Sequence, residues 1–129
     1  MEKDPTNEDG FVARGPVVVV VVDDDADSRE LTCELLGSFD IEAHPCGSAD
    51  AALAALSSVQ ADVLITDLRL GPGRDGIELA RAARAVRPEL RVIAVTGDSA
   101  EPDSELDGWF RKPFELEELV LAIRTLAGR

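Results

Sequence analysis

The run "VVVVVVDDD", residues 17–25, constrains this chain more than any other stretch. Six β-branched residues in succession make an extended strand apolar on both sides, so both sides need a cover. A central strand of a parallel sheet, with helices above and below, meets that condition; a half-exposed strand does not. The strand runs straight into Asp23, Asp24 and Asp25. Burying six valines to deliver three like charges to one place raises the question of what holds the carboxylates together.

The rest of the chain repeats the strand–helix alternation. Leu31, Leu35, Leu36 and Phe39 recur at helical spacing, and Asp27 or Ser28 is positioned to cap that helix. "IEAHPC", residues 41–46, is a weaker strand, placed at a sheet edge by Pro45. A helix rich in Ala and Leu follows over residues 49–56, then a second buried strand, "DVLITD", ending at Asp67. The turn-rich "LGPGRDG" leads into the helix "IELARAARAV", which Pro88 stops. "RVIAVTG" is a third buried strand, "GWFRKPF" holds a short last one, and Leu116, Leu119, Val120, Ile123 and Leu126 mark a closing amphipathic helix. Residues 1–15 are polar and read as a flexible acidic tail, leaving residues 16–129 as one domain without internal repeats.

Strands alternating with helices imply right-handed crossovers and an open five-stranded parallel sheet covered on both faces, an α/β architecture. In such sheets the ligand crevice lies at the carboxyl ends of the strands. Asp23, Asp24, Asp67, Thr96 and Lys112 all fall at or just beyond strand ends, so they are predicted to converge. Carboxylates about 4 Å apart repel by roughly 4 kcal/mol per pair at an effective dielectric of about 20. A compensating cation or a retained proton is needed. Hard oxygen donors without His or Cys favour Mg²⁺, which keeps several waters and is commonly shared with a phosphoryl group. A carboxylate can attack phosphorus to give an acyl phosphate, and a lysine and a threonine can neutralise the equatorial oxygens.

Composition bounds the partners. The net charge of −13, from 13 basic and 26 acidic residues, argues against direct nucleic-acid binding or an anionic membrane. No apolar run reaches membrane-spanning length and "MEKDPTNEDG" has no signal-peptide core, so a cytoplasmic location is expected. Cys33 and Cys46 lack metal-ligand spacing and read as reduced thiols.

The motifs "VVDDDADSREL", "DVLITDLRL" with "DGIEL", "VIAVTG" and "WFRKPF", in this order over residues 16–127, resemble the receiver domain of bacterial two-component response regulators. The resemblance implies a flavodoxin-like sheet of order 2-1-3-4-5 and a signalling switch rather than an enzyme. It implies Asp67 as phosphoacceptor, with Asp24 and Asp67 as direct Mg²⁺ ligands and Asp23 acting through a metal-bound water. By the same resemblance the carbonyl of Arg69 would complete the ligands, Thr96 and Lys112 would contact phosphoryl oxygens, and Trp109 stands where the family carries a switching aromatic. The implied partner is a histidine kinase or histidine phosphotransfer protein.

Thr96 and Lys112 are 16 positions apart, fewer than the family pattern, so the fourth helix is expected to be short or missing. Other readings follow from the same residues. They are a phosphate sink without output, a degenerate receiver, and a small phosphohydrolase using the D-x-D within "DDD" with Asp23 as nucleophile. The plain structural reading makes Asp25 and Asp27 helix-capping acids and Trp109 a core residue.

Overall fold

Strand β1 (Val18–Val22) lies inside the sheet, and Val19 to Val22 are all buried, as a β-branched run without a polar face requires. The structure is a computed structural model, and it describes residues 15–70, 75–97 and 105–128. After β1 come α1 (Ala26–Gly37), β2 (Glu42–Cys46), α2 (Ala49–Ser58), β3 (Val63–Asp67) and α3 (Gly76–Val86). The chain closes with β4 (Arg91–Thr96), β5 (Gly108–Arg111) and α4 (Leu116–Leu126). The strands form one parallel sheet in the order β2-β1-β3-β4-β5. β2, with Pro45, is at one edge as expected.

Strand alternation sends successive side chains to two cores. Val20, Val22, Leu64 and Val92 pack under Ala52 and Leu56 of α2 and Leu79 and Ala83 of α3. Val19, Val21, Ile65 and Val95 pack under Leu36 of α1 and Leu119 and Ile123 of α4. The helices therefore cover both faces, α2 and α3 on one and α1 and α4 on the other. Odd-numbered residues of β1 and β3 face the α1/α4 side, and this parity decides where their last residues point.

Two expectations for α1 need correction. The N-cap is Asp25, one of the two acids the plain structural reading offered for capping, rather than Asp27 or Ser28: its backbone is extended, and its carboxylate accepts the Ser28 amide at 2.9 Å. Asp27 and Ser28 already lie in the first turn. The apolar stripe also divides. Leu36 is fully buried, whereas Leu31 and Leu35 are 55% and 39% exposed. They follow a separate line along the helix, above the space between α1 and α4.

The expected loss or shortening of a helix between the fourth and fifth strands falls largely on residues 98–104, which lie outside the described residues. Among the described residues no helix stands between β4 and β5. The entry to β5 is tied instead by ion pairs: Arg84 of α3 and Arg91 of β4 both reach Asp107, and Arg81 reaches Glu105 at 3.6 Å. Asp107 also exchanges main-chain and side-chain hydrogen bonds with Val92, at 2.7 and 2.8 Å.

Leu36→Ala is expected to lower stability by about 2–5 kcal/mol, while Leu31→Ala changes it by no more than about 0.5 kcal/mol. Urea denaturation of the two variants would check this difference.

Candidate functional site

Asp23 and Asp67 stand side by side at the carboxyl end of the sheet. Val22 is the register partner of Thr66, so the next residue on each strand is an aspartate. Both have odd numbers and both open to the α1/α4 side, into a cavity of about 350 Å³ that Lys112 also lines. The rest of the wall is mainly apolar and includes Leu31, Leu35, Pro113 and Phe114.

Each acid is held by its own chain. The Asp23 amide donates to the Cys46 carbonyl at 3.2 Å, and Asp23 Oδ1 accepts from the Asp25 amide at 2.9 Å. Asp23 is only 8% exposed, whereas Asp24 is exposed. The N-terminus of α1 begins at Ala26, immediately after these acids, and its dipole favours negative charge there. On β3, the amide of Arg69 donates to Asp67 Oδ1 at 3.2 Å and Lys112 Nζ donates to Oδ2 at 3.4 Å. The Lys112 ammonium thus crosses from beyond β5 to β3 and meets the Asp67 carboxylate.

Lys112 is delivered by the β4–β5 register. Its amide donates to the Thr96 carbonyl at 2.8 Å, and the Lys112–Pro113 peptide is cis. Thr96 is buried at the end of β4, one residue beyond Val95, the register partner of Asp67. It is not part of the cavity wall that Asp23, Asp67 and Lys112 share. Trp109 is half-buried in a different groove, between β5 and Leu121, Ala122 and Thr125 of α4. The expected site residues therefore form a core of Asp23, Asp67 and Lys112, with Thr96 beside it and Trp109 apart.

The donors suit a hard cation. Asp23, Asp24 and Asp67 offer carboxylate oxygens, and the Arg69 amide bonded to Asp67 brings that residue's main chain to the same place. No group of three or more His, Cys, Asp or Glu among the described residues surrounds one point, so no all-protein cage is present. Mg²⁺ does not ask for one, since it is usually held by one or two carboxylates and waters.

The described ends of the loop after Asp67 are tied by features without a place in the hydrophobic pattern. Asp75 and Glu78 form a reciprocal capping box at the start of α3, and the Gly76 amide donates to the Leu68 carbonyl at 2.8 Å. A side chain at Gly76 would run into the Asp67 carbonyl oxygen and approach the Leu68 Cα to 3.0 Å. The "DGIE" spacing carries the capping-box signal, but the close approach of Gly76 to Asp67 has no local signature. The thiols are free, and burial is the main cause that raises the pKa of both Cys33 and Cys46, partly opposed by the Arg29 charge.

Comparison with known proteins gives the class. The family model "Response regulator receiver domain" matches residues 19–124. DctD of Rhizobium meliloti, a C4-dicarboxylate transport transcriptional regulatory protein, is 35% identical over 113 residues, covering 82% of this chain and 24% of that protein. The probable transcriptional regulatory protein TcrX of Mycobacterium tuberculosis is 31% identical, covering 88% of this chain and 51% of its own length. Among solved structures, the response regulator TrrA of Thermotoga maritima in complex with Mg²⁺-BeF superposes with a TM-score of 0.78 at 27% identity, over 85% of this chain and 98% of that one. The chain belongs to the response-regulator receiver family, whose members work with histidine kinase and phosphotransfer systems. It spans about half or less of the length of these two curated relatives.

Gly76→Ala is expected to destabilise the fold by about 1–3 kcal/mol, because the new methyl group meets backbone rather than a mobile side chain. Thermal melting would register the loss. The raised thiol pKa values fix another sign. The folded state holds these protons more tightly than the unfolded state, so their contribution is present at neutral pH and fades as pH rises into the alkaline range above about 8.5. Replacing both residues with Ser should flatten that part of the stability–pH curve, measured by urea titration at stepped pH.

Proposed function

We propose that the chain is the phospho-accepting receiver of a two-component phosphorelay, with Asp67 as the acceptor. The observation that carries this reading is the contact of Lys112 Nζ with Asp67 Oδ2 at 3.4 Å, in the cavity that Asp23 lines. A carboxylate oxygen of Asp67 attacks the phosphorus of a phosphohistidine, the P–N bond breaks, and the donor imidazole leaves with the electron pair. Lys112 neutralises charge on a phosphoryl oxygen and the Thr96 hydroxyl donates to another. Mg²⁺, held directly by Asp24 and Asp67 with the Arg69 carbonyl and through a water by Asp23, would supply the remaining positive charge; TrrA in complex with Mg²⁺-BeF is the similar protein that supports this reading.

A protein donor has to cover the cavity mouth, and exposed Leu31 and Leu35 offer it an apolar surface beside Asp67. The donor is a histidine kinase or a histidine phosphotransfer protein, and the cytoplasm is the compartment of the reaction. No helix of the described residues is long and apolar enough to cross a membrane, which suits that location. The phosphorylated form adds nearly two charges and changes partner binding, with Trp109 as the aromatic that reports the change. The chain modifies itself and acts on no separate substrate. The hydrolase reading loses its second acid, because the Asp25 carboxylate is engaged as the N-cap of α1.

Intact mass after incubation with acetyl phosphate checks this reading. One phosphoryl group is expected with Mg²⁺, and none without Mg²⁺ or in Asp67→Asn. Uptake that persists in Asp67→Asn but disappears in Asp23→Asn would overturn it in favour of the hydrolase.

A further inference from the structure

The acid turn after β1 is gripped by one charged side chain that the phosphorelay reading does not use. Arg29, on the first turns of α1, donates from a terminal guanidinium nitrogen to the main-chain carbonyl of Asp23 at 2.7 Å. The Asp23 amide is bonded to Cys46 and its carboxylate to the Asp25 amide. Arg29 therefore supplies the side-chain hold on this residue, and it does so through the carbonyl. The carboxylate oxygens of Asp23 are not engaged by the guanidinium in that contact, so a full positive charge sits beside the acids without covering them.

The same guanidinium touches the turn after β2. A Cβ placed on Gly47 would lie 3.1 Å from that terminal nitrogen and 3.5 Å from the central guanidinium carbon. Gly47 does not have the left-handed backbone that would itself require glycine. Its missing side chain leaves the room in which the Arg29 fork rests. Arg29 is thus bonded to the end of β1 and lies beside the turn after β2, and a planar fork in that confined space resists rotation better than a flexible ammonium does.

We infer that Arg29 is a positioning residue for the acid pocket, holding the Asp23 carbonyl, and with it the Asp23–Asp24 turn, in the geometry that binds Mg²⁺. This inference rests on the metal-assisted reading of the site given above. It concerns an outer contact that orients a ligand-bearing turn; loss of such contacts commonly weakens metal binding by 10- to 100-fold.

Calorimetric titration of the full chain with Mg²⁺ alone, paired with thermal melting in EDTA, tests it. Arg29→Gln is expected to bind Mg²⁺ about tenfold more weakly. Arg29→Lys, which keeps a charge but lacks the planar fork, should recover only a minor part of the loss. Gly47→Val should weaken binding in the same direction with Arg29 intact, because the side chain pushes the fork off the carbonyl. Lower melting temperatures with unchanged Mg²⁺ affinity in both Arg29→Gln and Gly47→Val would overturn the inference and leave the phosphorelay reading standing. A wild-type chain that takes up no Mg²⁺ would overturn both.

Discussion

Burial of β1 on both faces is the constraint from which the remaining structure follows. A strand of consecutive valines has no side to give to water, so helices must cover it above and below. Both neighbours of β1 are parallel to it, and the crossover helices supply that cover. The same parallel arrangement brings the carboxyl ends of all the strands to one rim. The aspartate just beyond β1, the one that ends β3 and the lysine beyond β5 then meet, with Thr96 of β4 beside them, although they are far apart in sequence. Apolar burial provides the energy of the fold, and the rim is what the fold leaves available for chemistry.

At the rim, parity and close backbone contacts replace burial as the organising forces. The two-residue repeat of β1 and β3 puts Asp23 and Asp67 on the α1/α4 side together, and the parallel register sets them next to each other. Lys112 crosses the width of β4 to reach Asp67, a path fixed by the hydrogen bond of its amide to Thr96. The loops are held by short local devices. Asp25 caps α1, Asp75 and Glu78 cap α3, and Gly76 lets α3 start against the backbone of Asp67. These contacts limit how far the acids can drift, which matters because preorganised charge is what a phosphoryl transfer needs from a protein.

Much of this was legible in the sequence, and the parts that were not have physical reasons. Continuous valine and isoleucine runs ending in aspartate are strong signals because they combine burial with a charged stop. The strand order came from family resemblance, since periodicity does not say which strands are neighbours. The exposure of Leu31 and Leu35 was not legible, because helical spacing reveals an apolar stripe but not whether the domain itself covers it. The sequence offered Asp25, Asp27 and Ser28 as caps for α1 without choosing among them, because four acids stand within five positions and each has suitable chemistry. Arg29 and Gly76 have no local signature at all. Their importance comes from tertiary approaches, to Asp23 and Gly47 in one case and to Asp67 in the other.

The central claim is that the rim makes one carboxylate, Asp67, the seat of the acyl phosphate while the neighbouring acids serve it. Borohydride reduction of the phosphorylated protein converts the modified aspartate to homoserine, and peptide mapping then locates it. Homoserine at position 67 alone is the predicted result. Homoserine at position 23 or 24 would contradict the account, because it would make the acid turn after β1 the nucleophile.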